Sequence, residues 1–331
     1  MQESLAALEK ISLGGINQWI SIRAKNVQDP ILLYLHGGPG TPVMPLFRHF
    51  QAPLEDHFIV VQWEQRGAGK SFSWRIPKES MTIEQFISDL HELILLLCKR
   101  FNKEKICLIG HSWGSALGLM AVQRYPQLFH AYVGVGQASN TVEIEKRMYQ
   151  FVLNKSEELD DKKAVKTLKK IGPPFEGMQP PYADFYKGGY LSKMKVYGFV
   201  AKYGGVIYNF KGHGSLVKYF LKYLPLLKPE YTLFDLIKIM QGNFFSTRTM
   251  MKELLTINLP EQVPELQVPI YFLIGRHDHN LSAELAKDYF DLLKAPKKEF
   301  IWFEKSAHAP NGEEATKFNK IIIEKILKDF K

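Results

Sequence analysis

Short runs dominated by apolar residues recur along the chain: Ile31 to Leu35, Phe58 to Gln62, Ile106 to Ile109, Tyr132 to Val135, Ile270 to Ile274 and Glu299 to Phe303. Runs this short and this continuous read as strands buried on both faces, which is how parallel strands look in sequence. Between them the apolar positions change to helical spacing. Ile83, Phe86, Leu90, Leu93, Ile94 and Leu97 mark a long helix, opened by the capping box Thr82-Ile83-Glu84-Gln85 with Met81 and Phe86 as its hydrophobic staple. Ala116 to Val122 and Ser282 to Leu293 read as further helices, and Phe318, Ile322, Ile326 and Phe330 as the buried stripe of a terminal one. Ile11 to Ala24 alternates instead, as a hairpin with Gly14-Gly15 near its turn. Strands alternating with helices predict an α/β fold, with a mostly parallel central sheet, helices on both faces and function at the strands' carboxyl ends.

The alternation stops after Val135 and resumes only at Val268. The stretch between is rich in Lys, Tyr and Phe, is helical in short pieces, and breaks at Gly172-Pro173-Pro174 and Pro180-Pro181. Residues 137–265 are therefore expected to form an inserted, mainly helical cap domain, and residues 1–136 with 266–331 the domain that carries the sheet. The aromatic residues from Tyr182 to Phe210 could line an apolar pocket, but read first as the core of that cap.

Composition removes several classes. With 331 residues, 46% hydrophobic and 23% charged, the chain is neither disordered nor fibrous. The formal charge of +9 is scattered rather than blocked. Its densest stretch, Lys162 to Lys170, follows Glu157, Glu158, Asp160 and Asp161 and reads as a solvated helix face, so no nucleic-acid partner is expected. Met1 to Lys10 has no long apolar run, no segment has the roughly 18 apolar residues of a membrane span, and Cys98 and Cys107 read as small buried thiols. A cytoplasmic protein without integral membrane association is the expectation.

The candidate chemistry begins at Gly110-His111-Ser112-Trp113-Gly114, between the run ending at Ile109 and the helix at Ala116. This strand–turn–helix setting is that of a nucleophile elbow, in which a serine occupies a strained turn and small neighbours avoid collision. Serine needs a base to take its proton and a third group to hold that base. His308, in the loop after the last predicted strand, supplies the first role, and Asp278, beyond the run Tyr271 to Ile274, the second. The backbone N–H groups of Trp113 and of Gly38, in His36-Gly37-Gly38-Pro39-Gly40, are the expected oxyanion donors. His277 and His279 flank Asp278, but no third clustered ligand accompanies them, so neither a metal nor a cofactor is expected. Gly67-Ala68-Gly69-Lys70-Ser71 ends like a phosphate-binding loop, yet position 64, where that pattern needs glycine, is Glu64.

Taken together, HGGPG at 36–40, EQRGAGKS at 64–71, GHSWG at 110–114, GRHD at 275–278 and the late His308 resemble the proline iminopeptidase branch of the α/β-hydrolase superfamily. The resemblance covers residues 10–137 and 265–331. It implies an α/β-hydrolase fold and a serine peptidase that releases N-terminal residues, proline above all, from small peptides, with acidic cap residues holding the free amino group. Two departures stand out. Glu64 replaces the family's usual Asp, and the family's cap glutamate motifs have no match between Gln137 and Glu265, where Glu143, Glu145, Glu176 and Asp184 are the acidic candidates. A serine hydrolase of aminopeptidase type acting on a short peptide is thus the leading expectation. A carboxylesterase or lactonase for a small hydrophobic ester is the alternative, and a non-catalytic ligand-binding or membrane-surface protein a further one.

Overall fold

A computed structural model describes residues 3–330, so Met1, Gln2 and Lys331 of the expected catalytic domain lie outside it, as does the side chain of Phe330. Eight strands form one sheet in the order β1-β2-β4-β3-β5-β6-β7-β8. They are β1 (Leu5–Leu13), β2 (Ile16–Ala24), β3 (Ile31–Leu35), β4 (Ile59–Glu64), β5 (Ile106–His111), β6 (Phe129–Val135), β7 (Ile270–Gly275) and β8 (Lys298–Phe303). From β4 to β8 every neighbouring pair is parallel, whereas β2 is antiparallel to both β1 and β4. The predicted hairpin is present, with Gly14 and Gly15 both at positive φ in its turn, the backbone shape that a two-residue hairpin requires. Its first strand starts at Leu5 rather than Ile11. As the sheet's edge strand it is half-exposed along most of its length, and so shows little alternation.

Helices α1 (Met44–Phe50), α2 (Ile83–Phe101) and α3 (Trp113–Arg124) connect the first strands. One core lies between the sheet and α2 with α3, around Ile22, Val61, Leu90, Leu117 and Phe272. A second lies on the opposite face, around Phe47, Ile109, Leu273, Phe318 and Ile322. The α2 stripe lies in the first core as predicted, but half of the capping box is absent. Thr82 accepts from Gln85 N at 3.2 Å, while the Gln85 amide turns to Asp89, 2.8 Å away. Asp89 is fully buried in an ion pair with Arg66 and accepts from the Gln18 amide as well.

After β6 the chain leaves the sheet for α4 (Thr141–Glu158), α5 (Lys162–Ile171), α6 (Gly189–Lys202), α7 (Ser215–Tyr223), α8 (Leu233–Thr249), α9 (Met251–Leu254) and α10 (Leu259–Gln262). A separate apolar cluster of Tyr149, Val152, Phe185, Tyr186, Val196 and Val200 holds the first of these helices together, and most of the aromatic run packs in or against it. Phe245 to Val263, by contrast, contributes to the core under the sheet. α5 buries Ala164 and Leu168 and turns Lys162, Lys163, Lys166, Lys169 and Lys170 to solvent. The chain ends with α11 (Ala283–Leu292), α12 (Pro310–Glu313) and α13 (Ala315–Glu324). The predicted terminal helix breaks at Lys325, and Ile326 follows in a tighter 3-10 turn.

Candidate active site

Because β3, β5, β7 and β8 run parallel, the loops that follow them emerge at one edge of the sheet. The insert leaves the sheet at the same edge, after β6. Ser112 sits at the β5–α3 junction with φ 57° and ψ -121°, a conformation strained for any residue with a Cβ. Its N–H is held by Val135 O at 3.0 Å. The flanking glycines are required by space: a Cβ on Gly110 would lie 2.4 Å from Gly114 O, and one on Gly114 2.4 Å from Leu35 O.

Asp278 and His308 meet from the two neighbouring loops. Asp278 Oδ2 and His308 Nδ1 are 2.8 Å apart, both residues being buried. Asp278 Oδ1 accepts from Asn280 N at 2.9 Å and Leu281 N at 3.0 Å. Burial alone would push this carboxyl up, but the His308 ring and the two N–H groups outweigh it and hold Asp278 below the usual carboxylate range. The partner at Nδ1 is an acceptor, so it orients the ring and leaves Nε2 as the free nitrogen.

The His36–Gly40 loop closes on the same place. A Cβ on Gly37 would lie 2.9 Å from Ser112 Cβ, so this residue backs onto the serine. Gly38 is exposed and has φ 117°, a backbone that only glycine adopts readily. Trp113 Nε1 donates to Gln65 Oε1 at 2.9 Å, and Gln65 Nε2 donates to His36 O at 2.9 Å, tying the elbow to this loop. Gln65 N also donates to His36 Nε2, so Nδ1 carries the proton and donates to Gly37 O at 2.8 Å. Burial pushes His36 down to about 4, which keeps it neutral. His111 donates from Nε2 to His308 O at 2.8 Å, and burial first, then the nearby His308, push it down to about 3. Gln65 and His111 lie outside the proposed triad and oxyanion pair, and Tyr197, from the aromatic run of the insert, also lies close to Asp278. Burial and the Asp278 charge push the Tyr197 hydroxyl up to about 12. Only the positions of Gln65 and His111 at the ends of strands could have pointed to them.

The insert grips these loops through its backbone. His308 N donates to Val206 O at 3.0 Å, and His279 N to Gly205 O at 3.1 Å. Glu313, which burial pushes up to about 7, accepts from both Ala307 N and Tyr208 N. His277 stacks on Tyr208 and His279 on Phe151, so the two histidines flanking Asp278 serve packing. Among the described residues no group of three His, Cys, Asp or Glu side chains could hold a metal ion. None of their helices is long and apolar enough to cross a membrane. A cleft of about 400 Å³ beside the His277–His279 loop is lined by neither Ser112 nor His308.

The acids of the insert are mostly engaged. Buried Glu145 pairs with Lys193 at 2.5 Å, Glu143 with Lys146 at 2.7 Å, Asp184 accepts from Phe185 N, and Glu176 is exposed. Glu64 is fully buried at the end of β4, where it accepts from Lys70 N and from the Tyr231 hydroxyl. The GAGKS segment therefore wraps a carboxylate, the opposite of a phosphate cradle.

Comparison with known proteins decides the family. The family profile of the α/β hydrolase fold matches residues 30–173. The probable aminopeptidase YbaC of Bacillus subtilis is 36% identical over 317 residues, covering 96% of this chain and 95% of that protein. The chain belongs to the α/β-hydrolases, in their proline iminopeptidase-like branch. A proline iminopeptidase of Saccharolobus solfataricus is 26% identical over 317 residues, covering 94% of this chain and 89% of its own. The crystal structure of the Mycobacterium smegmatis proline iminopeptidase superposes with a TM-score of 0.62 at 15% identity, covering 98% and 99% of the two chains, a likeness of fold. For an α/β-hydrolase, the loops around Ser112 lie where that fold places its active site.

Proposed function

We propose that this α/β-hydrolase is a serine hydrolase working through Ser112, His308 and Asp278 and an acyl-enzyme, and that it is an aminopeptidase of proline iminopeptidase type acting on short peptides. The Asp278–His308 contact at 2.8 Å, in loops at the same sheet edge as the serine elbow, carries this reading. Ser112 Oγ attacks the substrate carbonyl while His308 Nε2 takes the hydroxyl proton. Asp278 holds the opposite ring nitrogen and stabilises the imidazolium that results. The N–H groups of Trp113 and Gly38 take up the oxyanion's charge. His308 then gives its proton to the leaving amine, and water, activated by the same histidine, releases the acyl group from Ser112. No cofactor enters the scheme. Residues 1–136 and 266–331 supply this chemistry, and residues 137–265 cover it.

The aminopeptidase assignment draws on the printed function of the Bacillus and Saccharolobus relatives. One observation favours the ester alternative: Glu145, the buried acid among the insert's candidates, already holds Lys193, and a substrate ammonium would have to displace that lysine. A panel of aminoacyl p-nitroanilides and p-nitrophenyl esters distinguishes the two. Turnover of prolyl and other aminoacyl anilides is expected; ester turnover alone would sink the peptidase reading and keep the mechanism. A fluorophosphonate probe should label the wild type and leave Ser112→Ala unlabelled, whereas labelling of both would remove Ser112 as nucleophile.

A further inference from the structure

Helix α8 is amphipathic in the wrong sense for a helix on a soluble body. Its buried side consists of Asp235, Gly242, Ser246 and Phe245, three of them small or polar. Its outward side carries Leu233, Ile237, Met240 and Phe244, spaced to form one stripe, with Leu233 77%, Met240 75% and Ile237 53% exposed. Phe234, 80% exposed, stands beside the stripe. Tyr190 meets Phe244 edge-on, bringing the half-exposed start of α6 alongside, and exposed Trp74 packs edge-on against Phe245. A contiguous apolar surface of this kind marks an interaction site.

Charge says what covers it. Between Lys187 and Lys252 the only acids are Glu230 and Asp235, and both are buried in ion pairs with Arg48 and Lys70 of the sheet domain. Lys195, Lys218, Lys222, Lys238 and Arg248 are exposed and form no ion pair among the described residues. In α8 itself, Arg248 borders the stripe over the Phe244 ring, and Lys238 lies farther round on the same side. An outward apolar ridge with a basic border and an adjoining tryptophan is the pattern of a helix that lies in a lipid interface, its cations reaching up to the phosphates. A second copy of the chain fits poorly, because a two-fold contact along this ridge would bring like charges together.

We propose that α8 docks this protein on an anionic phospholipid surface. The same helix holds the candidate oxyanion loop from its other side. Asn243 Nδ2 donates to Pro39 O and to Thr41 Oγ1, Ser246 Oγ donates to Gly67 O, and Gly242 packs on Gly67 and Gly69. The lipid-facing stripe is thus one helix diameter from the site.

The test is flotation of the full chain with phosphatidylcholine vesicles, with or without about 30% phosphatidylglycerol. Binding to the anionic vesicles should exceed binding to the neutral ones by about tenfold or more and disappear when salt is raised to about 0.5 M. The double variant Ile237→Glu/Met240→Glu should bind the anionic vesicles at least about tenfold more weakly with an unchanged melting temperature. Should it unfold, Lys238→Glu/Arg248→Glu makes the same test and should weaken binding likewise. Ser112→Ala should bind as the wild type does, so the outcome is independent of the catalytic reading. No vesicle binding, equal binding to both compositions, or undiminished binding by folded variants overturns the proposal. So does a dimer in free solution that the Ile237→Glu/Met240→Glu change dissolves, which would make the occupant a second copy.

Discussion

Helices α2 and α8, 19 and 17 residues long, solve opposite problems with the same period. In α2 the stripe from Ile83 to Leu97 is driven out of water against the sheet, and burial of apolar area accounts for where the helix lies. In α8 the rest of the chain leaves the apolar stripe uncovered. What seats that helix is the absence of side chains at Gly242 and the hydrogen bonds of Asn243 and Ser246 to the loops beneath. Periodicity reports that a helix has two faces, but which face is covered depends on what the rest of the chain brings to it.

The largest expected effect belongs to neither helix but to the loops at the carboxyl ends of β5, β7 and β8. Ser112→Ala, Asp278→Asn and His308→Ala should each lower kcat by roughly 10³ or more while remaining folded at the assay temperature. A rate retained by any one of them would remove that residue from the triad. Next, Leu90→Ala should destabilise by about 2 to 5 kcal/mol, because Leu90 is fully buried in the α2 stripe. A loss below about 1 kcal/mol in denaturant melts would show that α2 is not held by its apolar face.

A Cβ on Gly242 would lie 2.5 Å from Gly67 O, with backbone on both sides of the clash. Gly242→Ala should therefore cost about 1 to 3 kcal/mol and, by lifting α8 from the 36–40 loop, lower kcat/KM more than it lowers the melting temperature. Unchanged kinetics would separate α8 from the site.

Glu64 supplies a pH test of the contact between sheet domain and insert. Burial pushes its pKa up to about 7 in spite of the Tyr231 and Lys70 contacts. A carboxyl raised in the folded state binds its proton more tightly there than in the unfolded chain. Its stabilising contribution is full below the unfolded carboxyl range and is lost as pH rises through about 7. Glu64→Gln cannot ionise, so its melting temperature relative to wild type should rise between about pH 5 and about pH 8; a constant or falling difference would contradict a buried Glu64 that resists ionisation. The smallest effect expected is that of Met240→Ser, within about 0.5 kcal/mol of wild type, since this side chain touches mostly water.

Much of this molecule was readable before any coordinates. Ile106 to Ile109 and Ile270 to Ile274 declared themselves as strands because a strand buried on both faces has no polar positions to confuse it. Ser112 and Asp278 could be picked as candidates because each follows such a run, and His308 because it follows the last predicted strand; parallel strands bring their carboxyl ends together whatever lies between. Gly110 and Gly114 pointed to the elbow for the steric reason that the structure displays. Local pattern alone therefore determined the α/β architecture, the sheet edge at which the candidate residues gather and the choice of candidate triad. Contacts between segments distant in sequence decided the rest. Leu5 to Lys10 pairs as an edge strand with little hydrophobic signal, and Gln85 leaves its capping role for Asp89. The glycines of GAGKS serve to fold around Glu64 and to seat Gly242, and α8 turns its apolar side outward. Each of these depends on which donors, carboxylates and bare backbones the fold brings within a few ångströms, and a pattern read along the chain holds no record of partners across it.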